Sequence, residues 1–146
     1  MIEQVRFNKQ RILTVRNPSI PQTKEVKTMF SRFFSITDQK TGFNEATGSK
    51  IRMIGYGAGL MLREESFPKG TVVPFHSHYH EQMCYVAAGS ANCILADGSE
   101  RILHAGECAY IGPNEEHSVV MLEDTTIIDA FTPIRVDHLE QPEINR

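Results

Sequence analysis

Short apolar runs alternate with turn signals from residue 51 to residue 132, a pattern typical of an all-β sandwich or barrel. The apolar runs predict strands at residues 51–55, 58–66, 71–75, 80–88, 91–96, 101–104, 108–111, 117–122 and 125–131. The clearest hairpin signal is Asp97-Gly98, which stands between Ile94-Leu95 and Ile102-Leu103. The pattern therefore predicts one small domain built from short strands.

The first fifty residues follow a different pattern. Asn17-Pro18 and Ile20-Pro21 interrupt the segment, and residues 37–50 have the composition of a loop. Five apolar residues recur there at helical spacing, which predicts either a short amphipathic helix or a strand covered by a partner subunit: Val26, Met29, Phe30, Phe33 and Phe34. The predicted organisation has an extension that packs on the barrel or on a partner, the barrel itself and a tail: residues 1–48, 49–140 and 141–146.

Composition and charge narrow the range of partners. The 146 residues suit a single domain, and the net charge of −3 argues against a broad nucleic-acid footprint. No apolar run approaches the roughly 20 residues of a membrane span, and the N-terminus lacks the apolar core of a signal peptide. The three cysteines form no CxxC pair. We therefore expect a cytoplasmic protein that binds a small molecule, not nucleic acid or a membrane.

Alternating histidines are the strongest chemical signal in the chain. His76, His78 and His80 are spaced two apart, and Gln82 follows at the same parity, so an extended strand would present all four on one face. One site rarely takes three histidines from one strand. His117, which follows a turn-like segment farther along, is therefore the better third imidazole, and His80 is expected to line the pocket or support a ligand. These donors suit one divalent transition metal, namely Zn, Ni, Mn, Fe or Co; the alternative is a purely structural polar cluster.

Two motifs around these residues resemble those of the cupin superfamily. The first is Gly, five residues, His-x-His, three or four residues, Glu, six residues and Gly, and it is matched by Gly70, His76, His78, Gln82 and Gly89. Gln82 stands where the family usually has Glu. The second motif is matched in register by Gly106 and His117. The resemblance covers residues 50 to about 139, and it implies a double-stranded β-helix, or jelly-roll-like barrel, that usually forms a homodimer.

The exchange of Glu for Gln82 has a chemical consequence. A carboxylate ligand would cancel one unit of the metal's charge, whereas a neutral amide beside neutral imidazoles leaves the full charge on the ion. The site would then be a stronger Lewis acid and would stabilise a higher oxidation state less well. Gln82 therefore favours polarisation of substrate oxygens over O₂ chemistry.

A carboxylate is predicted near these ligands. Asp129 interrupts an apolar run, and a buried Asp is costly unless it has a partner. By period two it shares a face with Phe131. An odd number of residues in the turn at 122–124 would place it opposite His117 inside the barrel, and an even number would place it outside. The alternative is that Asp129 anchors a turn or pairs with Arg135.

The sequence Asp-x-Phe-x-Pro-x-Arg-x-Asp after the second motif, together with His-x-His-x-His-Glu-Gln, narrows the resemblance. It is similar to the small cupins of pectin and alginate breakdown that linearise 4,5-unsaturated uronates. The resemblance implies metal ligands at His76, His78, Gln82 and His117, and catalytic or substrate-binding residues at Asp129, Phe131 and Arg135. The parity of the histidines adds His80 as a further substrate-binding residue.

In this interpretation the protein is a metal-dependent lyase or isomerase acting on a small acidic sugar. Asp129 transfers a proton, Arg135 holds a carboxylate and Phe131 forms an apolar wall. Two other classes remain open at this point. One is a metal-dependent dioxygenase or a cupin similar to polyketide cyclases, and the other is a non-catalytic barrel that binds a small ligand.

Overall fold

A computed structural model describes residues 33–37 and 39–139, and these residues are almost entirely β-structure. The strands are β1 Thr41–Asn44, β2 Ser49–Tyr56, β3 Met61–Phe67, β4 Val72–His76, β5 Glu81–Ala88, β6 Ser90–Leu95, β7 Glu100–His104, β8 Cys108–Ile111, β9 His117–Met121 and β10 Thr125–Thr132. One short helix, α1 (Val136–Leu139), follows them. The predicted all-β class is therefore confirmed. No helix in the described part of the chain is long and apolar enough to cross a membrane.

The strands form two antiparallel sheets with the order β1-β2-β3-β10-β5-β8 and β4-β9-β6-β7. The chain passes from one sheet to the other several times after β3, so residues distant in sequence meet between the sheets. One apolar cluster fills the space between them: Phe67, Cys84, Ala91, Ile111, Val119, Met121 and Ile127. A second cluster of Met53, Met61 and Phe131 lies beside α1, where Ile134 and Leu139 pack against it. Between these clusters lies the region that carries the polar residues of the site.

Two turns depend on glycine. At Asp97-Gly98 the predicted hairpin joins β6 to β7; Gly98 has φ 85°, and the Leu95 N–H donates to the Ser99 carbonyl at 2.9 Å. Gly89, with φ 80°, lies where the chain passes from β5 to β6, and a Cβ there would come within 2.4 Å of the Asp124 carbonyl oxygen. Only glycine fits this close approach.

The N-terminal prediction is wrong in part. Residues 37–50 do not form a continuous loop, because β1 pairs with β2 along Thr41–Asn44 and adds an edge strand to the larger sheet. The strand was missed because it is short and only half buried, so its apolar alternation is weak. Phe33 and Phe34 are not helical, and the Phe34 ring lies 6.1 Å from the Tyr56 ring. The rest of the predicted helix and the tail at 141–146 lie outside the described residues.

Candidate metal centre and cavity

The alternating histidines do not share one strand. β4 ends at His76 and β5 begins at Glu81, and residues 77–80 carry the chain from the smaller sheet to the larger one. The expectation that His78, His80 and Gln82 follow His76 on one extended face is therefore wrong. The donors converge because this connection folds between two facing sheets and because His117 on β9 is the register partner of His76.

Three imidazoles nevertheless come together. One ring nitrogen from each of His76, His78 and His117 lies within 4.8 Å of the others. The ring centroids of His76 and His117 are 4.3 Å apart, and those of His78 and His117 are 5.2 Å apart. Two paired strands of the smaller sheet and the connection at residues 77–80 thus supply the cluster, which is the geometry that a mononuclear metal site requires.

Backbone carbonyls fix the orientation of all three rings. In each case Nδ1 lies at hydrogen-bonding distance from a carbonyl oxygen: His76 to Pro74 at 2.9 Å, His78 to His80 at 3.1 Å and His117 to Glu115 at 2.9 Å. A carbonyl only accepts, so each Nδ1 carries the proton and each Nε2 keeps its lone pair. Metal-ligating histidines commonly use this arrangement, which holds the ring while leaving Nε2 as the donor.

Burial keeps two of these rings neutral. Desolvation lowers the pKa of His117 and of His78, and the charge of Arg135 lowers the pKa of His78 further. The Nε2 of His117 is buried and has no hydrogen-bond partner among the described residues. A neutral imidazole with a buried lone pair is costly alone and is ready to bind a cation.

Gln82 connects the histidines to a carboxylate. Its side-chain Nε2 donates to Asp129 Oδ1 at 2.7 Å, which turns its Oε1 toward His78 Nε2 at 2.9 Å. Gln82 Oε1 and His78 Nε2, each with a lone pair, therefore face each other. A cation bound by both atoms would stabilise this contact. The three imidazoles and the amide oxygen fit a divalent transition metal. A glutamate in place of Gln82 could not donate to Asp129, so the amide has a second use beyond its neutrality.

Asp129 lies in the middle of β10 and faces the interior. Three residues, 122–124, separate β9 from β10, and the side chain lines the same cavity as His76 and His117. Burial raises the pKa of Asp129 to about 6, while the Gln82 amide and the charge of Arg63 act in the opposite direction. The carboxyl group thus exchanges its proton close to neutral pH, as a proton-transfer residue should.

The two other predicted substrate residues lie beside Asp129 at the end of the barrel near α1. Phe131 is buried, and its ring lies edge-on to His78 with centroids 5.7 Å apart. The Arg135 guanidinium lies 5.4 Å from the Phe131 centroid. Arg135 does not pair with Asp129; it forms a bidentate ion pair with Asp137 at 3.1 and 2.7 Å. Two donors of the guanidinium are thus occupied by a carboxylate of the chain itself.

His80 is buried behind the ligands. Its ring lies 3.9 Å from the Tyr79 ring and 6.4 Å from the Phe131 ring, measured between centroids. Burial and the charge of Arg135 lower its pKa. His80 is absent from the cluster of three histidines that could hold a metal among the described residues. Its backbone carbonyl accepts from His78 Nδ1, so it supports a ligand through its main chain.

A buried ion pair was missed by the sequence reasoning. Arg63 and Glu65 on β3 point inward, with Arg63 Nη2 and Glu65 Oε2 2.6 Å apart, and Ser49 Oγ donates to Glu65. Arg63 is the register partner of Asp129 on the neighbouring strand. A signal was available: Met61 and Phe67, both apolar, share the parity of the two charged residues, and only the assumption that charge faces solvent hid them.

His138 was missed as well. It lies on α1 with only 7% of its surface exposed, and its ring is edge-on to Phe131 with centroids 5.5 Å apart. Burial lowers its pKa far below the usual range, and the charges of Arg63 and Arg135 lower it further. Its sequence context gave no signal, because a lone histidine after the last strand resembles a surface residue.

These residues surround one cavity of about 280 Å³ between the sheets. Its wall combines the candidate metal ligands with the predicted substrate residues and the missed ones: His76, Gln82, His117, Arg63, Glu65, Asp129, Phe131, Arg135 and His138. This volume suits a small molecule, and the mixed polar wall suits one that carries several oxygens.

Comparisons with known proteins agree with this geometry. Residues 63–130 match the family model described as the cupin domain. The pectin degradation protein KdgF of Dickeya dadantii (strain 3937) is 38% identical over 105 residues, which cover 70% of this chain and 94% of that protein.

Solved structures show the same relationship. An RmlC-like cupin from Shewanella frigidimarina NCIMB 400 has a TM-score of 0.68 at 31% identity, covering 75% of this chain and 97% of that chain. KdgF from a Halomonas species has a TM-score of 0.67 at 30% identity, covering 73% and 98%. The fold, the histidine cluster and these relatives together show that the chain belongs to the cupin superfamily and is similar to its KdgF-type pectin-degradation members.

Proposed function

We propose that this protein is a metal-dependent lyase or isomerase-type cupin that linearises a 4,5-unsaturated uronate, a small acidic sugar. One observation carries the proposal: Gln82 joins the histidine cluster to the buried carboxyl of Asp129 across the cavity. The candidate metal ligands and the carboxyl group that would transfer the proton are thus joined through one side chain, that of Gln82. The similarity to a pectin degradation protein supports the substrate class.

The ligand set we propose for the ion is His76, His78, Gln82 and His117. A bound Zn, Ni, Mn, Fe or Co ion would supply Lewis-acid polarisation of a substrate oxygen. The neutral amide of Gln82 leaves that polarising charge undiminished. The three carbonyl-anchored imidazoles require no rearrangement to present Nε2.

Asp129 is the residue we propose for proton transfer. Its carboxylate takes the proton of the hemiacetal hydroxyl as the ring C1–O bond breaks, which leaves an aldehyde at C1. The ring oxygen becomes an enol oxygen and receives that proton, and the enol then becomes the ketone. The amide of Gln82 holds the carboxyl in place, and the buried ring of Phe131 forms an apolar part of the cavity wall.

Arg135 is proposed to bind the substrate carboxylate. Asp137 occupies its Nε and Nη2 hydrogens, so the remaining hydrogens on Nη1 and Nη2 are the ones available to a substrate. Asp137 also fixes the guanidinium in place, because such a fork has one preferred plane. The Phe131 ring lies against the Arg135 guanidinium and forms the apolar wall of the pocket. His80 lies near the same Phe131 ring and supports that wall.

The test combines metal analysis with a turnover assay. Protein purified without a chelator should contain close to one divalent transition metal per chain. It should also accelerate the loss of the ultraviolet absorbance of an unsaturated uronate, and chelation should abolish the acceleration. Oxygen consumption during turnover, or equal turnover after complete metal removal, would refute the proposal.

Quaternary structure and location are separate proposals. We propose a homodimer that covers the outer face of the larger sheet, because four large side chains on that face are exposed: Leu62, Met83, Tyr85 and Tyr110. The three cysteines are free, which fits the reducing cytoplasm. The N-terminal extension, residues 1–48, is proposed to pack on the barrel or on the partner. Light scattering of the purified protein tests the dimer.

A further inference from the structure

Apart from His117 Nε2, two buried polar atoms of residues that line the cavity have no hydrogen-bond partner among residues 33–37 and 39–139. They are Arg63 Nε and His138 Nδ1. Both residues are more than nine-tenths buried, and both line the cavity. An orphaned buried donor or acceptor costs free energy, so a group that occupies the cavity and bonds to these atoms gains their missing interaction.

Arg63 is held in place by residues of the chain itself. Its Nη2 pairs with Glu65 at 2.6 Å, and Ser49 donates to the same carboxylate. The pair satisfies the Nη2 side of the guanidinium and leaves the Nε–H without a hydrogen-bond partner among the described residues. Since Glu65 already balances the charge of Arg63, the Nε–H is suited to a neutral acceptor such as a hydroxyl or carbonyl oxygen.

His138 approaches the same end of the cavity from α1. Its ring packs edge-on against Phe131, and its Nε2 lies 3.8 Å from Asp137 Oδ2, which is too far for a hydrogen bond. Burial and the nearby charge of Arg63 lower its pKa, so the ring is neutral near pH 7. A neutral imidazole can accept from a hydroxyl or donate to it, whereas Arg63 can only donate.

We propose that Arg63 and His138 form a hydroxyl-binding subsite that holds the part of a polyhydroxylated acid lying away from the candidate metal ligands. This inference rests on the proposed function, because it assigns further contacts to the same substrate class. A hydroxyl group matches both residues, since its oxygen accepts from the Arg63 Nε–H and its hydrogen is donated to an unprotonated ring nitrogen of His138. The subsite would select sugars that carry hydroxyls over acids of similar size that lack them.

The test uses two conservative variants and two ligands. Arg63→Lys keeps a positive charge for Glu65 but removes the Nε–H, and His138→Gln keeps polarity but changes the geometry. Binding of galacturonate, which is saturated and is not expected to react, is measured by calorimetry on the metal-loaded protein beside turnover of the unsaturated uronate. Each variant should weaken galacturonate binding and raise KM by roughly ten-fold, with kcat changed less than three-fold.

Controls separate binding from folding. Arg101→Lys and His104→Gln alter an exposed arginine and an exposed histidine that pair with Glu107 and lie outside the cavity wall, so binding should not change. If Arg63→Lys lowers Tm strongly, the charge-balanced double variant Arg63→Met with Glu65→Gln replaces it. In that variant the lost affinity should persist because the Nε–H is still absent.

The two proposals fail differently. Unchanged galacturonate affinity in both variants, or no galacturonate binding by the unaltered protein, would overturn the subsite even if turnover is normal. Weakened galacturonate binding without any turnover of the unsaturated uronate would support the subsite and overturn the reaction. A similar loss of affinity for a hydroxyl-free dicarboxylate such as glutarate would show that the residues recognise charge instead.

Discussion

The two ends of the cavity are built in different ways. At the ligand end, His76, His78 and His117 are each fixed by a carbonyl no more than two residues away in sequence. At the opposite end, Arg63 meets Asp129 through strand pairing, and they are far apart in the chain. The ligand end is therefore held by hydrogen bonds to nearby carbonyls, and the other end by the pairing of β3 with β10 and by the buried Arg63–Glu65 ion pair within β3.

This difference decides which kind of change each end tolerates. A ligand histidine can be replaced without leaving a buried charge unpaired, so the cost falls on metal binding and not on folding. Removing Arg63 or Glu65 leaves the other charge buried, so the cost falls on stability first. Gln82 connects the two ends, because it donates to Asp129, and Asp129 is the register partner of Arg63.

The variant expected to have the largest effect on the end of the cavity that carries the candidate metal ligands is His117→Ala. We expect metal content below a tenth of an equivalent per chain and turnover reduced by at least roughly 100-fold, because His117 supplies one of three converging nitrogens. Metal analysis of protein purified without a chelator measures the first effect, and the ultraviolet assay measures the second. His104→Ala, an exposed histidine outside the cluster, should retain full metal content; normal metal content in His117→Ala would contradict the ligand assignment.

Asp129→Asn separates chemistry from metal binding. We expect kcat to fall roughly 10²- to 10⁴-fold, as for the loss of a general acid or base, while metal content remains near one equivalent. The fall follows because an amide cannot carry the proton although it keeps the size of the carboxyl group. Glu116→Gln changes an exposed carboxylate and serves as the control. Turnover within three-fold of the unaltered protein would exclude Asp129 as the proton carrier.

The same contrast explains what could be read from the sequence. The all-β class, the Asp97-Gly98 hairpin and the grouping of His76, His78 and His117 followed from spacing and local turns. The path of residues 77–80 could not be read, because period-two reasoning assumes an unbroken strand and the chain changes sheets there.

Cross-strand partners were equally hidden. Nothing local shows that Asp129 lies opposite Arg63 or that Gln82 donates to Asp129, since register between distant strands is set by the whole fold. His138 required the path of the chain after β10, which no periodic pattern specifies. The most serious omission was the buried charge of Arg63. Alternation along β3 places its side chain in the interior, and only its charge argued against that placement.

The buried Arg63–Glu65 ion pair can be compared with a partly exposed ion pair on the outer face of the sheet. Arg63–Glu65 lies inside the barrel, whereas Arg52–Glu64 joins β2 to β3 at a partly exposed position. Replacing Arg63 by Met or Glu65 by Gln should each lower the free energy of unfolding by about 3–5 kcal/mol, and the double variant should cost less than their sum. The corresponding cycle at Arg52–Glu64 should give a coupling below about 1 kcal/mol. Urea unfolding measures both cycles, and equal coupling energies would contradict the burial argument.

The smallest predicted effect is the contribution of His138 to the pH dependence of stability. It tests how strongly the end of the cavity beside α1 excludes charge. Burial holds the pKa of His138 below its unfolded value, so between the two values the unfolded chain binds more protons than the folded one. Stability supplied by the neutral ring is therefore complete above about pH 6.5 and is lost as the pH falls toward the folded pKa. The ring packs against Phe131 and is acted on by the charges of Arg63, Arg135, Asp137 and His78, and the two guanidinium charges oppose protonation more than the carboxylate favours it.

From pH 7 to pH 5 the unaltered protein should lose about 1–2 kcal/mol more unfolding free energy than His138→Gln, which has no group to protonate there. Urea unfolding of both proteins at the two pH values gives this difference, and the losses shared by the ligand histidines cancel between them. His104→Gln should behave like the unaltered protein, because its imidazole is exposed. Parallel losses in the unaltered protein and His138→Gln would show that the imidazole protonates freely. The end of the cavity beside α1 would then be open to water, and burial together with the charges of Arg63 and Arg135 would not exclude charge from it.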